Sequence, residues 1–192
     1  DQNDACLEMT GIGPRTRFLS DTHISITGAD LVPLLDGNPL AQWHCVQVTK
    51  DSILSFQGPN DGLRSYLAIT GGIDVPQVMG SRSTYLKSAI GGLEGRALKA
   101  RDILSRREAT GLVPKERGLP DTLQPPTYGH HHEIRVVLGP QVTAFTQNGV
   151  TTLLRSEYSV SADSDRMGYR LDGPQVEHLS GADIVSDGTP LG

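Results

Sequence analysis

GLRSYLAITGGIDVPQVMGSRSTYLKSAIGGLEGRALKARD, residues Gly62–Asp102, decides how the rest of this chain is read. Its apolar run, Tyr66–Thr70, is short and stops at Gly71-Gly72, which is how a strand ends at a turn. Beyond it come glycines, arginines and small hydroxyl residues with no 3.6-residue period. A second stretch of the same make-up, SADSDRMGYRLDG, occupies Ser161–Gly173. Glycine lets a backbone come close to a ligand. Arginine presents a planar fork of donors to carboxylate, carbonyl or phosphate oxygen. Such loops beside short strands suit a cleft for a polar small molecule.

Outward from that stretch, short β-type runs recur at His23–Thr27, Ser52–Phe56, Glu133–Leu138 and Ser156–Ala162. Turn signals separate them: Asp36-Gly37, Pro59-Asn60-Asp61-Gly62, Asp172-Gly173 and Asp187-Gly188. The 22 glycines and 12 prolines are spread along the chain, so they punctuate many short elements. The spacing predicts a β-barrel or sandwich. One short helix is expected at Pro140–Thr146, ended or turned by Asn148-Gly149, with a further helical turn over Val150–Arg155. Glu108–His132 holds Pro114, Pro120, Pro125 and Pro126 and reads as a long surface connection, either a linker or a lid. It divides the chain into lobes at about 1–107 and 133–192.

With 36% hydrophobic residues in 192 a real core is possible, and with 5% aromatics it must be built of Leu, Ile and Val. A net charge of −5 argues against nucleic acid as the main partner. No run approaches the roughly 20 apolar residues that span a bilayer, and no signal peptide opens the chain, so no membrane is expected and the cytoplasm is the default. Cys6 and Cys45 are too few for a disulfide framework and read as small buried hydrophobes.

Three groups of residues can carry chemistry. Ser81-Arg82-Ser83-Thr84 is either a donor wall for a polar substrate or a turn capped by its own hydroxyls. In Gly91-Gly92-Leu93-Glu94-Gly95-Arg96, three glycines within five residues can bring backbone N–H groups together to hold an anion or oxyanion. Glu94 then serves as a base or orients Arg96; the plainer alternative is a glycine-rich turn with a surface ion pair. No Gly-Lys-Ser/Thr follows, so it is not a phosphate-binding loop of the nucleoside-triphosphatase type. In Asp165-Arg166-Met167-Gly168-Tyr169-Arg170, a strand would put Arg166, Gly168 and Arg170 on one face, either as a clamp for a carboxylate or planar amide with Asp165 holding Arg166, or as an edge strand with solvated arginines. His130-His131-His132 is a poor metal site, because neighbouring side chains on an extended chain diverge; no metal is expected.

Four blocks in order, YLAITGGIDVP, MGSRST, GGLEGRALKA and SDRMGYRLDGP, resemble the allophanate hydrolase subunit 2 family, also called the biotin-dependent carboxyltransferase family. The resemblance runs from about Leu7 to Gly192. It implies a mostly β, cyclophilin-like β-barrel with a few short helices, one carboxyltransferase-like domain over 1–192, and a chain that is incomplete at both ends. It places the Asp165–Arg170 block in the family's cleft. On that footing Arg166, Glu94 and Asp165 are assigned to catalysis. Arg82, Ser83, Thr84 and Gly92 are assigned to substrate binding, as are Gly95, Arg96, Met167, Tyr169 and Arg170.

The family's substrates share a planar N–C(=O) group, and reaction there puts negative charge on the carbonyl oxygen. The first expectation is a subunit of an ATP-dependent 5-oxoprolinase, opening 5-oxoproline to glutamate. ATP would be a co-substrate of the complex, and the partners a B-type (subunit 1) companion and a third hydrolase subunit. The second is a biotin-dependent carboxyltransferase acting on urea or a similar amide, with biotin carried on another polypeptide. The third is a regulatory partner of a subunit 1-type kinase inhibitor.

Overall fold

The structure is a computed structural model that describes residues 3–109, 117–120, 122–129, 133–165 and 168–183. It divides into two compact units, Asp1–His131 and His132–Gly192.

Among the described residues the first unit is mostly β, with one 3₁₀ turn at Leu86–Ser88. One four-stranded antiparallel sheet has the order β1 (Leu7–Thr10), β8 (Asp61–Ile69), β3 (Thr22–Asp30), β6 (Val46–Val48). The other runs β2 (Thr16–Arg17), β7 (Ile53–Phe56), β4 (Pro33–Leu35), β5 (Asn38–Pro39), also antiparallel. The expected runs at His23–Thr27, Ser52–Phe56 and Tyr66–Thr70 fall on β3, β7 and β8. Asp36-Gly37 closes the β4–β5 hairpin with both residues at positive φ, as a two-residue turn of the hand that strand twist favours. Among the described residues the pairings join strands within each sheet and do not join one sheet to another.

Alternation along β3 explains the core. Thr22, Ile24 and Ile26 are buried on one face; the register then shifts between Gly28 and Asp30, and Ala29 becomes the buried position. The shift is a bulge, which adds a residue to one strand and moves the following side chains to the other face. Nine buried residues form the core: Met9, Phe18, Ile24, Ile26, Ala29, Leu31, Val48, Leu54 and Leu67. Seven of them lie on strands of the two sheets, Phe18 and Leu31 just beyond strand ends, and only Phe18 is aromatic, as the composition required. The two cysteines stay out of it, against expectation: Cys6 is exposed and Cys45 half-buried. Segments of the proline-rich connection are tied to this unit. The Cys45 N–H donates to the Arg117 carbonyl (2.6 Å), and the Asp61 carboxylate accepts the N–H groups of Tyr128 and Gly129 (both 3.0 Å).

The second unit holds a 3₁₀ turn at Pro140–Ala144, one helix α1 (Gln147–Arg155), and a two-stranded ribbon of β9 (Ser159–Val160) and β10 (Leu171–Asp172). Two expectations fail here. Asn148-Gly149 does not end a helix but lies in the first turn of α1, whose cap is Thr146: its Oγ1 accepts the Gly149 N–H (2.9 Å). Gly149 is there for space, since a Cβ would strike the backbone of Glu177. Glu133–Leu138 has strand composition but forms no ladder among the described residues. A strand needs a neighbour to take its N–H and C=O groups, and composition does not supply one.

Candidate functional site: a glycine loop on the first unit

The candidate site lies on the excursion that leaves β8 and returns before Glu108. Its two ends are stitched together: Ile73 pairs with Ala5 on one side and Arg106 on the other, and the Asp74 N–H donates to the Ser105 carbonyl (2.8 Å). Ile73 and Val75 are buried at this base. Residues 74–105 therefore form a loop closed at its neck, and its shape depends on internal hydrogen bonds.

Two small hairpins organise it. Val78 and Ser81 pair around Met79-Gly80, both at positive φ. Arg82 follows and donates from Nη1 to the Val75 carbonyl, folding this hairpin back on the neck. The Ser81 hydroxyl accepts the Ser83 N–H (3.1 Å), so the capped-turn reading of this quartet is present in the structure. Tyr85 and Ile90 pair around a 3₁₀ turn at Leu86–Ser88. That second hairpin lays Ser83 and Thr84 against Gly91 and Gly92. A Cβ at Gly91 would fall on the Ser83 carbonyl oxygen, and one at Gly92 on Thr84 Oγ1. The glycines at these two positions are needed for approach as well as for φ of +74° and +55°.

From Ala89 to Gly95 five residues are left-handed, Ala89 and Glu94 among them without glycine's freedom. The Gly95 N–H donates to the Gly91 carbonyl (2.9 Å) and the Arg96 N–H to Leu93 (3.3 Å), which closes the loop. Among the described residues, the N–H groups of Gly91, Gly92, Leu93 and Glu94 have no acceptor. Turns of mixed handedness gather successive N–H groups into a concave anion seat.

Arg96 locks this loop. Its Nε donates to Glu94 Oε2 (2.9 Å), Nη1 to Asp102 Oδ2 (2.7 Å) and the Ala97 carbonyl (3.1 Å), and Nη2 to Asp102 Oδ1 (3.0 Å). The fork on Asp102 is bidentate, the strong form of an Arg–carboxylate pair. Hydrogen bonds from Arg96 and from the Lys99 N–H hold the Asp102 carboxyl down at about 2, from a usual 3.8, and Asp102 with Glu94 pushes the guanidinium further up. Glu94 thus meets Arg96 as an orienting partner, at an exposed position.

In the second unit the described residues of the other predicted block are Asp165, Gly168, Tyr169 and Arg170, and none of them lies in a strand. Asp165 and Gly168 pair with each other, with N–H donors to opposite carbonyls at 3.1 and 3.4 Å. Ser164 Oγ accepts the Arg170 N–H (2.8 Å) and donates to the Arg170 carbonyl (3.1 Å). The alternation expected through Arg166 and Met167 lies outside the described residues. Tyr169 and Arg170 are exposed. Arg166 and Met167 lie outside the described residues, as do His130–His132 and Asp187-Gly188.

The whole chain, residues 1–192, matches the family described as carboxyltransferase domain, subdomain A and B. The chain belongs to that family. Among carboxyltransferase-domain relatives, the C subunit of the 5-oxoprolinase of Escherichia coli K12 is 36% identical over 189 residues, 98% of this chain and 59% of the relative. The urea amidolyase of Saccharomyces cerevisiae is 34% identical over 181 residues, 91% of this chain and 10% of that protein. The crystal structure of Kluyveromyces lactis urea carboxylase matches with a TM-score of 0.73 at 29% identity, over 90% of this chain and 16% of that one. The chain spans about six-tenths of the length of the 5-oxoprolinase relative it matches.

Arg82, Ser83, Thr84, Gly92, Glu94, Gly95 and Arg96 are thus brought together on one closed loop of the carboxyltransferase domain, and Asp165, Tyr169 and Arg170 on one hairpin of the second unit. The sequence reading missed Asp102, the main partner of Arg96. Its only signal was an acidic residue six positions beyond an arginine, a spacing that no regular element brings together. Among the described residues, no helix is long and apolar enough to cross a membrane.

Proposed function

We propose that this chain is part of a subunit of an ATP-dependent 5-oxoprolinase, handling the planar lactam of 5-oxoproline on its way to glutamate. The observation that carries the reading is the 36% identity to a 5-oxoprolinase C subunit over 98% of this chain. The geometry supports it. Opening a lactam places negative charge on the carbonyl oxygen, and the N–H groups of Gly91–Glu94, without an acceptor among the described residues, are its proposed donors. Donors aimed at a developing charge are typically worth about 3 kcal/mol each when removed. The Thr84 hydroxyl lies against Gly92 and is proposed to orient the substrate by a hydrogen bond, with Ser83 beside it in sequence. Arg166 is proposed as a cationic partner for the substrate carboxylate, with Asp165 as its orienting carboxylate. ATP is the co-substrate of the assembled enzyme. No Gly-Lys-Ser/Thr follows this loop, so no step through ATP is assigned to it. B-type (subunit 1) companions complete the enzyme.

A second reading has its own observations: the family description and the urea amidolyase and urea carboxylase relatives favour carboxyl transfer from biotin, carried on another polypeptide, to urea or a similar amide. The same seat serves either reaction, because both act on an N–C(=O) group. The deciding experiment purifies the protein with its companion subunits, adds ATP and 5-oxoproline, and follows glutamate and ADP together. Coupled production of both, lost when this protein is left out, is the expected result. Absence of turnover in a well-folded complex that instead carboxylates urea overturns it in favour of the second reading.

A further inference from the structure

A seven-residue stretch, Ala89–Gly95, with five left-handed residues, three of them glycines, is not rigid by itself; each such glycine costs conformational entropy to hold in place. Something outside the run must hold it. The Gly95–Gly91 hydrogen bond closes the loop but does not anchor it. The Tyr85–Ile90 pairing anchors its first end; its second end is anchored by the Arg96 side chain, whose two carboxylate partners are not equal. The Glu94 side chain is 70% exposed and belongs to the loop that needs fixing, whereas Asp102 is 18% exposed and lies outside it. Asp102 is itself fixed twice more: Oδ2 accepts the Lys99 N–H (2.7 Å), and the Asp102 N–H donates to the Lys99 carbonyl (3.1 Å). Its carboxylate makes no bond to Gly91–Glu94.

We propose that Asp102 is a positioning residue, which sets the Gly91–Glu94 anion seat through its bidentate grip on Arg96. The inference rests on the reading that this seat holds a substrate oxygen. It also reassigns Arg96: with Asp102, Glu94 and the Ala97 carbonyl on its fork, Arg96 shapes the seat and does not clamp substrate. Asparagine at 102 has one acceptor oxygen and turns an N–H₂ toward the guanidinium, so the fork fails. Glutamate keeps both oxygens at a longer reach.

The test titrates ¹⁵N-labelled full-length protein with 5-oxoproline and follows the Gly91, Gly92 and Glu94 amide signals, with Ile24, Ile26 and Leu67 as reporters of the core. Wild type is expected to show saturable shifts at the loop. Asp102→Asn weakens binding by about ten-fold or more, the size of one charged hydrogen bond, with the core signals unmoved, and Asp102→Glu recovers most of it. Arg96→Lys, which keeps the charge but not the fork, matches Asp102→Asn and decides the matter if that variant loses its core signals. Wild-type affinity in Asp102→Asn or in Arg96→Lys overturns the positioning role and leaves the seat standing. No saturable shift at the loop in wild type overturns the seat, and the inference with it.

Discussion

The two units of this chain are held together by different means. In the first, nine buried residues from two sheets make a core, and Ile26, Leu31, Leu54 and Leu67 are at most 1% exposed. In the second, no large apolar side chain among the described residues is buried, and Ile134, Val137, Leu154 and Leu179 lie more than half exposed. It is held by polar wiring. Thr146 caps α1 and donates to Glu177, the Thr146 N–H donates to the Glu177 carbonyl, and Phe145 pairs with His178. Hydrogen bonds exchanged with water contribute about 1 kcal/mol each, against about 1.5–3 kcal/mol for each large apolar side chain buried. The wiring defines a shape; the core supplies most of the stability.

The largest effect expected from this difference is a contrast between two leucines. Leu54→Ala in the core should cost about 2–5 kcal/mol, since it removes buried methyl groups and leaves a cavity. Leu154→Ala, on α1 and 54% exposed, should stay within about 0.5 kcal/mol. Urea denaturation of both variants measures it. Equal losses would break the comparison, because they would mean that the apolar face of the second unit is covered in solution.

This contrast also explains what could be read ahead of the structure. Strands β3, β7 and β8 were legible because one face of each meets a core, which writes period two into the residues. Glu133–Leu138 uses the same alphabet, yet pairing is a property of two segments, and one segment cannot report its partner. Asn148-Gly149 read as a stop because propensity is local, whereas the close approach of Glu177 is not. In the site, the glycines announced a special backbone correctly. The grip of Asp102 on Arg96 was invisible because two irregular turns, not a helix or strand period, bring them within 2.7 Å.

A smaller effect sharpens the account of the second unit. Gly149→Ala should destabilise by about 1–3 kcal/mol, because a Cβ there meets the Glu177 backbone nitrogen at 2.9 Å and the backbone must shift. The loss should appear in the amide exchange of Glu177–Leu179 before it appears in the core of the first unit. A neutral Gly149→Ala would show that the contact between α1 and Glu177 is not what orders this unit.

The smallest effect returns to the first unit, where the excursion over 74–105 resembles the second unit more than its own core. Met79 is 96% exposed and Leu86 60%, and apolar burial stops at Ile73 and Val75 near the neck. Its order should therefore depend on charge, and Asp102 gives that dependence a direction. The folded carboxyl is held at about 2, below the usual 3.8, by Arg96 and the Lys99 N–H. A depressed pKa contributes stability that is fully present above the unfolded value and fades as pH falls through the folded one. The window is thus about pH 4 down to about 2. Wild type should be slightly more stable than Asp102→Asn at pH 5, and the gap should close across that window, and shrink with added salt because the pair is only partly buried. Denaturation midpoints at pH 5, 4, 3 and 2 for the two proteins measure it. A gap that stays constant to pH 2 would mean that Asp102 acts by shape alone, and that the excursion is packed, not wired.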